Sequence, residues 1–501
     1  MFTVASVYSS NMVLQRDKNV VIRGEADDGA KVAAEINCVK SETIAADGKW
    51  RVVLPPMKAG GPYELTISCS DGGEKRFTNV MVGEVWLCGG QSNMELELQN
   101  CKGGKEVLEA LTPECNVRFY YTNKKSIIDE DMLAAERNSG WSEAGSESSR
   151  AWSAVGFFFA RKLAKELGVT VGLIGCNWGG TSASAWVDKD TLANCAETRS
   201  YIDEYEKAIE GKSAEQQIAE YDEYAEYQRQ WYERSQEVYA KDPKCPWDKV
   251  QEICGVNKYP GPMGCKNELR PGGLYETMLQ RVCPYTLRGF LYYQGESDDH
   301  KPDSYYRLFT NLIEVWRRDW GDDELPFIMV QLPMFKYASD PDYKHWCKIR
   351  EAQMRAYKTV KNTGIAVITD CGEFDNIHPV DKLPVGERLC LQAEKLVYGM
   401  DVKAFGPLFK SAVAKDGGFE LSFDHAEEGF DIRGEGVTGF ELAGADGELH
   451  EAAAEIRGGK IFVSSPEVKA PAEVRYDFFN WKEPAVFGKN GIPLAPFRYT
   501  L

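Results

Sequence analysis

The spacing of hydrophobic and polar residues divides the chain into three zones. Residues 1–80 contain short alternating runs such as NVVIRGEA and KWRVVLPP, separated by turns rich in Gly and Asp, and this pattern predicts a small β-sandwich-like unit. Residues 81–400 alternate short apolar runs with helical patterns, which is typical of an α/β fold with a parallel sheet. Residues 401–501 return to short strands and turns. We therefore predict an α/β domain flanked by two β units that are separate from the sheet in space.

Five apolar runs of the middle zone are predicted strands of the parallel sheet. A helix over residues 153–167 has apolar side chains at helical spacing, with Gly168 where a C-terminal cap belongs. Because crossover connections place the carboxyl ends of parallel strands at one edge, that edge is the expected ligand site. The predicted strands are 83–90, 169–177, 286–295, 326–333 and 364–372.

An acidic, tyrosine-rich insertion interrupts this domain at about residues 190–265. Its longest helix is predicted to begin at Ser213, where Gln216 completes a capping-box pattern, and aromatic residues follow near helical spacing. Two roles are open for this helix. It is either a lid or sugar-stacking wall over the sheet edge, or an amphipathic helix that packs its aromatic stripe on the domain, and we favour the second.

Composition and charge narrow the class of protein. The net charge of −18 over 501 residues disfavours nucleic acid and anionic membranes, because no basic patch counters the repulsion. No apolar run could span a membrane, and the N-terminal sequence lacks a signal-peptide pattern, so we expect a cytoplasmic protein. The 14 cysteines form no C-x-x-C pair and are expected to be reduced thiols. The sequence leaves open whether the chain forms a homo-oligomer.

The sequence GGQSNMELE follows the first predicted strand of the sheet. Ser92 would then lie on the turn between a strand and a helix, with its hydroxyl at the ligand edge and its backbone N–H facing a developing oxyanion. A serine can be a simple N-cap, but this place favours a nucleophile. Asn93 and Met94 follow the serine, so the motif differs from the G-x-S-x-G turn of the α/β-hydrolases.

Two of the five histidines are candidates for a general base. His378 follows the last predicted strand, and Asp375 three residues earlier is placed to orient its ring and leave Nε2 free for the serine proton. His300 has no such carboxylate, so His378 is expected within about 2.6–3.2 Å of the serine hydroxyl. A metal site that includes Asp370 and Glu373 is disfavoured, because no second ligand motif accompanies the single histidine.

Two further glycine turns follow strands at the same edge of the sheet. NWGGTSASAW and YYQGESDD offer backbone N–H groups, and Gln294 offers a side-chain amide, for the oxyanion of an attacked ester. Four strand-end motifs are therefore expected to converge on one site.

These motifs resemble a known family. GGQSNM, GGTSASAW, YYQGESD and DNIHPVDKLPVGERL are similar to blocks of the SGNH hydrolases, specifically the sialate O-acetylesterase family, and NMVLQRDKNVVIRGEADDGAKV resembles that family's N-terminal β domain. The resemblance implies a three-layer αβα domain with a parallel sheet, flanked by β-sandwich-like units. It also implies a serine esterase that removes acetyl groups from carbohydrate hydroxyls without a metal or organic cofactor.

The resemblance also implies roles for single residues. Ser92 resembles the nucleophile, His378 the general base and acid, and Asp375 its orienting partner. Gly180 and Gln294, with the Ser92 N–H, resemble the oxyanion donors. Many SGNH enzymes have asparagine where this chain has Gln294, so the sequence departs from the pattern of the third block there.

Residues around these motifs are expected to support the site or bind substrate. Gln91 and Glu296 are expected to brace the turns, and Arg270 is a candidate substrate contact. A sialic acid, such as a 9-O-acetylated one, carries a carboxylate that would need a cation such as Arg270. Acetylated xylan or another neutral glycan would not. A third alternative, a catalytically idle carbohydrate-binding protein, is disfavoured because no triad member is missing from the sequence.

Overall fold

The computed structural model describes residues 2–243, 245–338 and 344–501. Near the N-terminus, short strands form a three-stranded antiparallel sheet and a second group that pairs with the start of the central sheet. Both groups contribute apolar side chains to one core. The N-terminal strands are β1 (Thr3–Val4), β2 (Val13–Gln15), β3 (Val20–Glu25), β4 (Lys31–Ile36), β5 (Val39–Ile44), β6 (Lys49–Leu54) and β7 (Gly60–Cys69).

The central sheet has the parallel strand order β9–β11–β8–β12–β13–β14, with β10 antiparallel at the β9 edge. All five predicted strands are present, but β9 was missed, because its run of five residues is short and is interrupted by Arg118. The strands are β8 (Glu74–Gly90), β9 (Val117–Tyr121), β10 (Ser142–Glu143), β11 (Val171–Asn177), β12 (Gly289–Tyr293), β13 (Phe327–Gln331) and β14 (Thr363–Val367).

Strand β8 joins the N-terminal strands to the parallel sheet. Its first part pairs antiparallel with β7, and residues 81–83 pair parallel with β2. Its last part, residues 84–90, lies between β11 and β12. Residue 80 falls inside this continuous strand, and the residues on both sides of it share one core, so the N-terminal strands and the sheet are joined at β8.

Helices cover the central sheet from both sides. Helix α4 begins after Ser153, whose hydroxyl accepts the Gly156 N–H, and it ends at Gly168 with a φ of 64°, as predicted. The side chain of Cys88 packs against α4, whereas the Trp316 ring of α10 lies over the neighbouring Gly89. Since successive strand residues face opposite sides, these helices lie on opposite faces. The helices are α1 (Ser92–Glu95), α2 (Gly104–Glu109), α3 (Glu130–Arg137), α4 (Ala154–Leu167), α5 (Lys189–Ala193), α6 (Arg199–Ile209), α7 (Ala214–Lys241), α8 (Trp247–Cys254), α9 (Gln280–Val282), α10 (Pro302–Trp320), α11 (His345–Thr359) and α12 (Leu383–Leu396).

Helix α7 is the long helix of the insertion. It has the predicted capping box, with the Ser213 hydroxyl and the Gln216 side chain each bonded to the other's backbone. We expected its aromatic stripe to pack on the main domain, but Trp231 of this stripe is not part of the main core. Trp231 instead forms a small separate core with Val250 and Cys254 of α8. The insertion thus buries its own apolar face, because α8 supplies the partner surface.

The C-terminal strands form their own core. The C-terminal unit also contacts the central domain, since Leu408, Ile492 and Ala495 belong to the main core. Polar contacts add to this: the Phe335 N–H donates to the Asn480 carbonyl at 2.8 Å and the Trp346 N–H to the Asn480 side chain at 3.2 Å. The strands are β15 (Leu408–Lys415), β16 (Gly418–Asp424), β17 (Phe430–Ile432), β18 (Phe440–Ala443), β19 (Leu449–Glu451), β20 (Ala453–Arg457), β21 (Lys460–Ser464), β22 (Glu473–Tyr476), β23 (Val486–Gly488) and β24 (Phe497–Thr500).

A buried carboxylate holds the junction at β8. Glu84 is fully buried and accepts hydrogen bonds from Arg16 Nε at 2.6 Å, Arg288 Nε at 2.8 Å and Gln15 Nε2 at 3.0 Å. Arg16 and Gln15 come from the N-terminal zone and Arg288 from the segment before β12. This cluster therefore ties the two parts of the chain through charge as well as backbone pairing.

Glu84→Ala should lower the free energy of unfolding by about 3 kcal/mol, because two partly buried guanidinium groups lose their counter-charge. Urea unfolding followed by tryptophan fluorescence measures the change. Glu74→Ala, at an exposed position of the same strand, is the matched control and should stay within about 0.5 kcal/mol of the wild type. Equal stability of the two variants would show that the cluster does not hold the junction.

Candidate active site

Ser92 lies at the carboxyl end of β8. The strand ends at Gly90, Gln91 is extended, and Ser92 is the first residue of α1. The Gln91 N–H donates to the Tyr293 carbonyl at 3.1 Å, which fixes the turn against the end of β12. The Ser92 hydroxyl thus lies at the edge of the sheet where parallel strands end, as the sequence predicted.

His378 is in contact with this serine. Its Nε2 lies 2.8 Å from the Ser92 hydroxyl oxygen, within the predicted range. Partial desolvation of the ring, together with the Lys382 ammonium, lowers the pKa of His378, and the Glu95 carboxylate opposes this shift. The imidazole is therefore biased toward the neutral form that can accept a proton. His300 lies elsewhere, in the wall of a nearby cavity.

Asp375 does not meet the His378 ring in the described part of the chain. Its backbone adopts a φ of 64°, and its N–H donates to the Lys336 carbonyl at 3.1 Å. Its Oδ1 accepts the Ala338 N–H at 3.1 Å. The D-x-x-H spacing therefore did not determine the direction of this carboxylate, because contacts with a distant segment turn it away from the ring.

The turn after β11 supplies one free backbone donor. Gly180 has a φ of 76°, which favours glycine, and no residue that the structure describes accepts its N–H. The preceding Gly179 is so close to Ser92 that a Cβ there would lie 3.2 Å from the serine Cβ. The Gly179 N–H donates to Glu95 Oε2 at 2.7 Å, which fixes the turn. Among the described residues none accepts the Ser92 N–H either, so the N–H groups of Gly180 and Ser92 are both available for an oxyanion.

Gln294, in the turn after β12, is not available as an oxyanion donor. Its Nε2 donates to Asp298 Oδ2 at 2.6 Å and to the Thr181 carbonyl at 3.3 Å, so both N–H bonds of the amide are used. Its Oε1 accepts the Tyr305 hydroxyl at 3.1 Å. The residue is almost fully buried and joins two turns, so the expected donor role is not supported.

Gln91 and Glu296 brace the turns as expected. Gln91 Oε1 accepts the Ser297 N–H at 3.1 Å, and Glu296 Oε1 accepts Asn93 Nδ2 at 2.6 Å. Both side chains are buried. They connect the turn that carries the serine with the turn after β12.

Asn93 and Lys382 also belong to this network, and the sequence did not predict a role for either. Asn93 Nδ2 also donates to the Ile377 carbonyl at 2.9 Å, next to His378 in sequence, and its Oδ1 accepts Lys382 Nζ at 2.6 Å. Burial lowers the pKa of Lys382 to about 8, and burial raises the pKa of Glu296. Both residues stood in the quoted motifs, but nothing in the sequence showed that the lysine is buried.

Arg270 is not free to bind a substrate carboxylate. Its side chain is buried, and Nη2 donates to Glu276 Oε2 at 2.9 Å and to the Ser126 carbonyl at 3.4 Å. Two helical segments, residues 275–279 and 280–282, separate it from β12 along the chain. The candidate substrate contact is therefore an internal ion pair.

A cavity of 260 Å³ begins beside Gly180. Among the described residues that line it are one carboxylate, Glu204, and no lysine or arginine. The Glu204 carboxylate pairs with Lys301 Nζ at 2.7 Å. The remaining lining residues are Ser182, Ser184, Tyr201, Tyr205, Ala208, Met263, Leu269, Pro271, Ser297 and His300.

The alternative metal site does not form. Asp370 binds Arg388 through both carboxylate oxygens, at 2.5 and 2.8 Å, and Glu373 accepts the Asn376 amide and the Val380 N–H. Within the described ranges, no three His, Cys, Asp or Glu side chains are grouped to hold a metal ion, and the cysteines are all free. No helix of the same ranges has the length and apolarity needed to cross a membrane.

Comparisons with known proteins show which proteins this chain is similar to. The chain is 28% identical over 460 residues to mouse sialate O-acetylesterase, covering 84% of this chain and 79% of that protein. It is 29% identical over 445 residues to the human sialate O-acetylesterase, covering 81% and 73%. The structure of a carbohydrate acetylesterase from Xanthomonas citri superposes with a TM-score of 0.78 at 28% identity, covering 99% of both chains. The sequence profile of the SASA family, described as carbohydrate esterase, sialic acid-specific acetylesterase, matches residues 82–220 and 264–389, and the chain therefore belongs to this family of esterases.

Proposed function

We propose that this protein hydrolyses acetyl esters of carbohydrates, as a sialate O-acetylesterase, with Ser92 as nucleophile and His378 as general base and acid. The observation that carries the proposal is the 2.8 Å contact between Ser92 Oγ and His378 Nε2 at the carboxyl edge of the sheet. Helices on both faces of that sheet support a three-layer SGNH arrangement, which we include in the proposal.

The reaction is a two-step acyl transfer. His378 takes the proton of the Ser92 hydroxyl as its oxygen attacks the acetyl carbonyl, and the N–H groups of Ser92 and Gly180 stabilise the oxyanion. The imidazolium returns the proton to the sugar oxygen, which leaves as an alcohol. Water, activated by the same histidine, then hydrolyses the acetyl-serine and releases acetate.

A second candidate substrate is a neutral acetylated glycan. The cavity beside Gly180 has no lysine or arginine among its described lining residues, and Arg270 is paired with Glu276. A sialic acid carboxylate would meet Glu204 there without a free guanidinium or ammonium group. This observation favours xylan-type or other neutral acetylated sugars as an alternative to sialate.

Acetate release from 9-O-acetyl sialic acid and from acetylated xylo-oligosaccharides, measured side by side, decides between the two. A kcat/KM at least about tenfold higher for one substrate assigns the substrate class. No acetate from either substrate, with intact folded protein, would contradict the proposed function.

Ser92→Ala should lower acetate release by a factor on the order of 10⁴ to 10⁶ without unfolding the protein, because the nucleophile is lost. Ser411→Ala, at an exposed position of β15, is the matched control and should keep wild-type turnover. Near-normal turnover by the Ser92 variant would contradict its assignment.

Lys382→Met should move the acid limb of the kcat/KM profile toward higher pH. Removal of the ammonium charge raises the pKa of His378, so the base becomes protonated, and inactive, at a higher pH than in the wild type. Lys382 itself has a pKa of about 8 and is therefore charged where His378 titrates. The measurement is the pH dependence of kcat/KM below pH 7, with Lys415→Met as the remote control. A shift toward lower pH, or none, would show that the Lys382 charge does not act on the base.

Asp375→Asn should retain far more activity than His378→Ala. We propose that Asp375 positions the His378 loop through the Ala338 N–H, and an asparagine oxygen can still accept that hydrogen bond. In a triad that depends on the carboxylate charge, the same change would cost about 10⁴ in kcat. If Asp375→Asn loses that much kcat, Asp375 acts through its charge as a triad member. If only Asp375→Ala loses activity, Asp375 acts by positioning the loop.

A further inference from the structure

The insertion places one side chain against the candidate site. Tyr259 follows α8, and its hydroxyl lies so close to Gly180 that a Cβ on that glycine would collide with it. The neighbouring Gly179 packs on the Ser92 Cβ. The Tyr259 hydroxyl is therefore separated from the nucleophile only by the Gly179–Gly180 turn.

The segment that carries Tyr259 is firmly held. Asn267 is fully buried, and its Nδ2 donates to the carbonyls of Pro260 at 3.2 Å and Pro262 at 3.1 Å. The Tyr224 ring of α7 packs against Gly261 in the same segment. The position of Tyr259 is thus determined by the insertion and by a buried amide, which is a basis for precise recognition.

The Tyr259 hydroxyl is free to form hydrogen bonds with a ligand. In the ranges that the structure describes, it has no hydrogen-bond partner, although it lies beside a polar turn. Tyr259 is about half exposed, and partial desolvation of its phenol raises the pKa of Tyr259, with a smaller contribution from the Glu268 carboxylate, so the phenol stays protonated at neutral pH. It can therefore donate one hydrogen bond and accept others.

We infer that the Tyr259 hydroxyl binds the sugar part of the acetyl ester, through a hydroxyl or ring oxygen near the ester. This inference rests on the proposed carbohydrate esterase function. The oxyanion already has the N–H groups of Ser92 and Gly180, and the cavity that begins at Gly180 extends along Tyr205 and Met263 of the insertion. An amphipathic wall of aromatic rings and hydroxyl groups suits a sugar, which has apolar C–H faces and polar edges.

This contact lies outside the ranges that the family profile matches. The family profile matches residues 82–220 and 264–389, and Tyr259 falls between the two matched ranges. The nucleophile, base and oxyanion donors come from the matched ranges. The insertion would therefore act on sugar selection and leave the acyl-transfer chemistry unchanged.

Tyr259→Phe removes only the hydroxyl and tests the inference. With the better of the two acetylated sugars, KM should rise by about tenfold with kcat within about twofold, the loss expected for one hydrogen bond made equally in the ground and transition states. With 4-nitrophenyl acetate, which has no sugar, kcat/KM should stay within about twofold of the wild type. Tyr232→Phe, at an exposed position of α7, is the matched control and should behave as wild type with both substrates.

Three results would overturn the inference. An equal loss with sugar ester and 4-nitrophenyl acetate would place the hydroxyl at the acetyl group or in the support of the turn, and unchanged constants with both would exclude a contact. Wild-type protein that releases acetate from 4-nitrophenyl acetate through Ser92 but from neither sugar would instead refute the carbohydrate function, and the sugar contact with it. Thermal unfolding of each variant confirms that the compared proteins are folded.

Discussion

Buried Asn93 connects the three loops on which the site depends. Its amide joins the Glu296 carboxylate and the Ile377 carbonyl, and its oxygen accepts the Lys382 ammonium. One side chain thereby holds the serine turn, the turn after β12 and the histidine loop in fixed positions. Since nucleophile and base must lie within a few tenths of an ångström of their working distance, this buried amide is the physical basis of the 2.8 Å contact.

The Lys382 ammonium beside Asn93 is buried at an energetic cost, and its charge also acts on His378. A buried ammonium group is destabilised by several kcal/mol unless other groups replace its water. Here the Asn93 oxygen and the Glu296 carboxylate do so, and the face of the Tyr293 ring lies 5.2 Å from Lys382 Nζ. The remaining positive charge acts on His378 and favours the neutral imidazole. The same group thus contributes to loop position and to the protonation state of the base.

The insertion adds a second, small core to this scaffold. Trp231 and the apolar residues of α8 bury the α7 stripe locally, whereas Leu192, Tyr201 and Ile202 at the start of the insertion belong to the main core. The insertion contacts the region of the site through the segment around Tyr259 and the wall of the cavity, among other places. Under the proposed function, such an arrangement permits changes in sugar recognition without changes in Ser92 or His378.

The sequence by itself determined which residues lie at the edge of the sheet. Apolar runs and the polar residues directly after them are local features, so Ser92 and His378 could be placed at strand ends from periodicity, and the caps at Gly168 and Ser213 followed from local patterns. Only the tertiary structure decided the partners of the polar side chains. Three such residues have partners that no local pattern specifies: Asp375 with Ala338, Gln294 with Asp298 and Thr181, and Arg270 with Glu276 and Ser126. A hydrogen bond depends on direction and distance in space, whereas a hydrophobic pattern depends only on which side of an element is buried.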